Sequence, residues 1–133
     1  MTISLLSKRI VTGRGLFIIT LTAPKEIEAG GTVRFSARFL HMKDGAVNPS
    51  SLTAKVYEGR QHAVLLASPT PIVDVNWGGS PGAWFAEWTV PSSQGSGPVV
   101  CVFSGTYQST DAPGDGAMSV QGSIGTRVVN PWR

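Results

Sequence analysis

The chain is poor in the residues that do chemistry. It has one cysteine, Cys101, and two histidines, His41 and His62, among 133 residues. A lone thiol excludes an intramolecular disulfide, so the fold does not depend on an oxidising compartment and is expected to form in a cytoplasm. Neither histidine is spaced with Cys, Asp or Glu as zinc ligands are, which leaves no metal motif. Charge is sparse as well: 14% of residues are charged against 41% hydrophobic, too apolar for a disordered chain and below the charge content of a typical soluble domain. Part of the surface is therefore expected to lie against another chain. The eleven basic residues exceed the eight acids to give a net charge of +3, but they are scattered along the sequence, and nucleic acid is not an expected partner. No run approaches the roughly twenty apolar residues of a membrane-spanning helix. Lys8, Arg9 and Arg14 ahead of Leu16–Leu21 imitate a secretory leader. That apolar run is short and Pro24 after Ala23 opposes cleavage, so neither a processed signal nor a membrane partner is expected.

What the chain does have is strand grammar. In Glu28-Ala-Gly-Gly-Thr32-Val-Arg-Phe-Ser-Ala-Arg-Phe39 a glycine turn opens into strict alternation. Val33, Phe35, Ala37 and Phe39 face one way, and Thr32, Arg34, Ser36 and Arg38 the other, because successive side chains in a strand point to opposite sides. Similar segments are expected at 16–22, 52–57, 62–67, 71–77, 83–90, 98–107 and 117–129, with Pro69 and Pro71 suited to strand ends or edges. On 83–90, Trp84, Ala86, Trp88 and Val90 share one face, and Trp84 or Trp88 is the natural centre of the core. Seven to nine short strands with regular turns and no helical period describe an all-β, antiparallel sandwich or barrel in one domain. Residues 1–15 stand apart, as an edge strand or an arm reaching a neighbouring subunit; Gly13-Arg-Gly15 separates them from the domain proper, 16–133.

Candidate chemistry is thin. Gly78-Gly-Ser80-Pro-Gly82 spells a hydrolase nucleophile elbow, but that turn needs a following helix and a backbone N–H after the serine, which Pro81 lacks. Cys101, between Val99 and Phe103, suits a small core side chain. Asp111 and Asp115 are too few for a calcium cage and suit turns. Glu26, Glu28, Asp44 and Glu58 lie at turns, which leaves Glu87, on a tryptophan-rich strand, better suited to a cross-strand pair with an arginine than to a glycosidase dyad. Trp77, Phe85 and Trp132 could form a sugar platform only if exposed in one plane. No catalytic residue, metal or cofactor is expected.

Three stretches, Glu28-Ala-Gly-Gly-Thr-Val33, Lys43-Asp-Gly-Ala-Val-Asn-Pro-Ser-Ser-Leu-Thr-Ala-Lys-Val-Tyr-Glu-Gly59 and Gly82-Ala-Trp-Phe-Ala-Glu-Trp88, resemble the small immunoglobulin-like structural proteins of tailed bacteriophages. In those proteins a Pro-Ser or Pro-Asp pair leads into a Val-Tyr strand and a Gly-x-aromatic strand follows. The resemblance covers roughly residues 18–105. It implies an immunoglobulin-like sandwich and a non-enzymatic virion protein, oligomeric within an assembly, with other capsid, neck or tail proteins as partners. The alternative is a carbohydrate-binding or adhesin-type module. The shared motif is structural and carries over no site residues. Replacing Ser80, His41 or His62 by Ala, or Cys101 by Ser, is accordingly expected to leave assembly intact, with a modest stability loss at Cys101 only. Assembly assays on the four folded variants check this, and abolition by any one would argue for catalysis or metal dependence.

Overall fold

Alternation on one strand needs a second apolar face to bury against, and the chain supplies it with two stacked sheets. The computed structural model describes residues 5–12, 15–59, 64–74, 81–108 and 117–132. Its strands are β1 (Leu5–Thr12), β2 (Phe17–Pro24), β3 (Glu26–Glu28), β4 (Thr32–His41), β5 (Gly45–Ala46), β6 (Ser50–Glu58), β7 (Val64–Ala67), β8 (Ile72–Val73), β9 (Ala83–Thr89), β10 (Gly97–Tyr107) and β11 (Met118–Val129). No helix occurs among the described residues. One sheet runs β1-β2-β4-β9-β8 with β5 paired to β4, and the other runs β3-β11-β10-β6-β7. With β1, β3 and β5 set aside, these orders are the A-B-E-D and G-F-C arrangement of the immunoglobulin sandwich, and β7 takes the place of strand C′. The pairings are antiparallel except that β3 runs parallel to β11, Ile27 opposite Val128.

The interior follows the sequence pattern. Val33, Phe35, Ala37 and Phe39 of β4 are buried while Thr32, Arg34 and Arg38 are exposed. From the facing sheet come Ala54 and Val56 of β6, Val99, Cys101 and Phe103 of β10, and Val120, Ile124 and Val128 of β11. The centre differs from the sequence expectation. Phe17, Phe35 and Phe103 are the largest fully buried side chains; Trp88 belongs to the core at 7% exposure, and Trp84 only packs against it. The indole N–H explains the position of Trp84, because it requires an acceptor and finds Asn48 Oδ1 at 3.1 Å on the core margin.

Eleven strands exceed the expected seven to nine because β3 and β5, of three and two residues, are too short to show a period. Of the segments expected at 62–67 and 71–77, the described parts contain strands at 64–67 and 72–73, both at sheet edges, as their prolines suggest; residues 60–63 and 75–80 lie outside the described set. Residues 5–12 form an edge strand, paired with β2 from Leu5 opposite Pro24 to Thr12 opposite Phe17. Its closing contact passes over Gly122, where a Cβ would come within 3.1–3.3 Å of Leu21, Ile10 and Ile19. A bare glycine there lets β1 and β2 settle onto β11.

Replacing Trp88 by Ala should cost about 3–5 kcal/mol, the usual loss for a large buried aromatic. Denaturant unfolding measures it, and a loss below about 1 kcal/mol would contradict an inward-facing Trp88.

Candidate functional site

Among the described residues, one place gathers ionisable side chains away from solvent. His41 ends β4, Tyr107 ends β10, and Asp44 lies in the turn after His41. His41 is 1% exposed, and its Nδ1 accepts the backbone N–H groups of Lys43 at 3.2 Å and Asp44 at 3.1 Å. Tyr107 donates its hydroxyl to Asp44 Oδ2 at 2.5 Å, and the Phe17 ring packs against both His41 and Tyr107. Because Nδ1 is spent as an acceptor, the imidazole proton belongs on Nε2, a buried atom without a hydrogen-bond partner among the described residues. Asp44 Oδ2, 3.6 Å from Nδ1, therefore meets a lone pair and cannot orient the ring as a catalytic carboxylate does. Burial first, and then the hydrogen bond to and charge of Asp44, push the Tyr107 hydroxyl up to about 12, which keeps it neutral and a poor base. The cluster locks a turn and ties β4 to β10 across the two sheets. His41 is thus a structural residue, so its replacement carries a stability cost that the sequence did not predict.

The other sequence candidates are dispersed. Cys101 is fully buried and burial pushes its thiol up to about 12, the state of an inert core thiol. Ser80, His62, Trp77, Asp111 and Asp115 lie outside the described residues. Gly82 has φ +89° and leads directly into β9; a Cβ there would stand 2.7 Å from the Phe39 carbonyl oxygen, so this glycine serves a close backbone approach to β4. Glu87 pairs with Arg34 across β4 and β9 at 3.5 Å, as its outward alternation predicts. The same guanidinium sits 3.9 Å over the Phe85 ring and covers the face that a sugar would need. Trp132 is 89% exposed but follows β11 in the other sheet, so Phe85 and Trp132 form no common platform. Among the described residues there is no group of three or more His, Cys, Asp and Glu that could hold a metal, and no helix long and apolar enough to cross a membrane.

What remains is the rim of the sandwich. β1 pairs with β2 along its whole length and with no other strand among the described residues, and Leu5, Leu6 and Val11 on it are 63%, 41% and 60% exposed. At the opposite rim, Val64 and Leu65 of β7 and Ile72 and Val73 of β8 are also exposed. Two grooves border β1. One, of about 650 Å³, lies on the outer face of its sheet, between Ser7 and Arg9 on one wall and Pro81–Ala83 on the other, with Ile18, Thr20 and Leu40 as floor. The other, of about 610 Å³, separates Leu6 and Lys8 from β10 and β11. No protein-family model matches the chain, and no curated protein is similar to it.

A raised hydroxyl pKa carries a stability consequence of definite sign. The neutral form is favoured in the folded state, so the contribution is fully present below about pH 10 and is lost as pH rises through about 12. Tyr107→Phe should therefore lower stability at neutral pH and flatten the decline between those values. Melting temperature against pH for both proteins checks this, and parallel alkaline limbs would contradict it.

Proposed function

We propose that this chain is a non-enzymatic virion structural protein of a tailed bacteriophage, folded in the host cytoplasm and built into a capsid, neck or tail through its strand edges. The observation that carries the proposal is β1: eight residues that, among the described residues, pair with a strand along one side only, with three large aliphatic side chains left in solvent. An unpaired edge is a template for another chain, and aliphatic exposure beside it is the surface that such pairing covers. The exposed aliphatics on β7 and β8 offer a second contact at the far rim, as a repeating assembly requires. The sequence resemblance around Lys43–Gly59 and Gly82–Trp88 supplies the class of assembly. A glycan-binding role has less support, since Arg34 covers Phe85 and Trp132 stands apart from it.

Deleting residues 1–12 should abolish incorporation into particles while the truncated protein still unfolds cooperatively, at a reduced melting temperature. Most of β1 is exposed, and what its loss uncovers is largely the backbone edge of β2 and the contact of Ile10 with the core. Thermal melting beside co-sedimentation with purified particles measures both. Undiminished incorporation would overturn the role given to β1.

A further inference from the structure

From the charge around β1 we infer that its free edge receives an extended acidic segment of a partner protein, with carboxylates lying beside Lys8 and Arg9 and aliphatic residues beside Leu5–Leu6 and Ile10–Val11. The inference rests on the assembly role proposed above and adds the chemistry of the partner. β1 reads Leu-Leu-Ser-Lys-Arg-Ile-Val-Thr, a basic pair between two aliphatic pairs. Adjacent strand residues face opposite sides, so Arg9, in register with Thr20, points to the outer face, and Lys8, in register with Leu21, points toward the facing sheet. Each side opens into a groove. The outer one carries Arg9; the inner one carries Lys8, Lys25 and Arg127. Neither lining contains an Asp or Glu, and Glu26, in register with Arg127, is not part of the inner one. These cations come from β1, from the residue between β2 and β3, and from β11. They look scattered in sequence and stand together only in the folded chain.

The same charges decide between occupants. A second copy meeting β1 by an antiparallel two-fold centred on the basic pair would set Lys8 opposite Lys8 or Arg9 opposite Arg9, a like-charge pairing that destabilises a sheet. A single-stranded nucleic acid would satisfy the charge but needs exposed rings to stack on. The one aromatic in either lining is Phe39, 2% exposed, whereas the aliphatic side chains and unpaired strand amides suit a peptide. An acidic strand satisfies all three features at once: backbone hydrogen bonds to the edge, carboxylates in both grooves, and apolar contact at either end.

The test uses the full chain and two capped, fluorescently tagged eight-residue peptides of Val and Thr, one with two adjacent Glu at its centre and one with two Lys. Fluorescence anisotropy should show the Glu peptide binding about tenfold more tightly than the Lys peptide, the size expected of two cross-strand charge pairs, with the preference fading as salt rises. The double variant Lys8→Glu, Arg9→Glu alters only exposed side chains and should keep its melting temperature while reversing the preference. Equal binding of the two peptides, an unreversed preference in the variant, tighter binding of an oligothymidylate that displaces the Glu peptide, or a wild-type dimer that the variant abolishes would each overturn the inference. Particle co-sedimentation of the same variant separates the two proposals. Incorporation lost on charge reversal supports both, whereas incorporation that survives it overturns the acidic partner and leaves the assembly role standing.

Discussion

Burial of the apolar faces of two sheets against each other is the constraint from which the rest follows. A strand that alternates has one face to hide, and eleven short strands with no helix among the described residues leave a second sheet as the cover. Phe35 from β4 and Phe103 from β10 are both fully buried between the sheets, Phe17 closes one end, and small residues such as Ala37, Ala54, Ala86 and Cys101 fill the spaces between. The arrangement needs no disulfide, because about 25 cal/mol for each Å² of apolar surface removed from water suffices in a core of this size. It has one unavoidable by-product. An open sandwich has four rims, and each presents unpaired backbone.

The rims are treated unequally. β7 and β8 are short, and Pro69 and Pro71 between them lack the N–H that a partner strand would use. β1 is long and has no proline. Its defence is Lys8, a charge on the core-facing side of an edge strand, which blocks casual pairing by apolar strands yet is itself a contact for a carboxylate. Specificity by charge at an otherwise sticky edge is what a chain needs if it must stay soluble before assembly and join one partner afterwards.

Long periodic segments made most of the fold legible. The buried face of β4, the inward Trp88 and the arginine partner of Glu87 all follow from a two-residue period over seven to ten residues. β3 and β5 escaped notice because two or three residues carry no period. The candidate surface was only half legible. The basic pair of β1 is visible in the sequence, but the placing of Lys8, Lys25 and Arg127 along one groove depends on pairings between segments more than a hundred residues apart. His41 shows the converse. Its inward direction continues the period of Val33, Phe35, Ala37 and Phe39, but the ring packing that encloses it comes from Phe17 and Tyr107, which are distant in the chain.

The two ends of the sandwich are held by polar residues that leave the faces free for function. At one end His41 gathers the turn after β4 while Tyr107 fastens that turn to β10 through Asp44. At the other, Asn130 is 4% exposed and donates through Nδ2 to the carbonyls of Ser92 and Gln94, while its backbone N–H is held by Ser96 Oγ. Each network joins segments that the sheets alone would leave to loops, and each turns a loop into a fixed corner. A frame fixed at both ends cannot yield much to a partner. The partner must then match the edge as it stands, so the ordering cost of association falls on the incoming strand and hardly on the sandwich. Recognition by such a frame is governed by what is already displayed along β1, two cations between two aliphatic pairs, and hardly at all by rearrangement of the core.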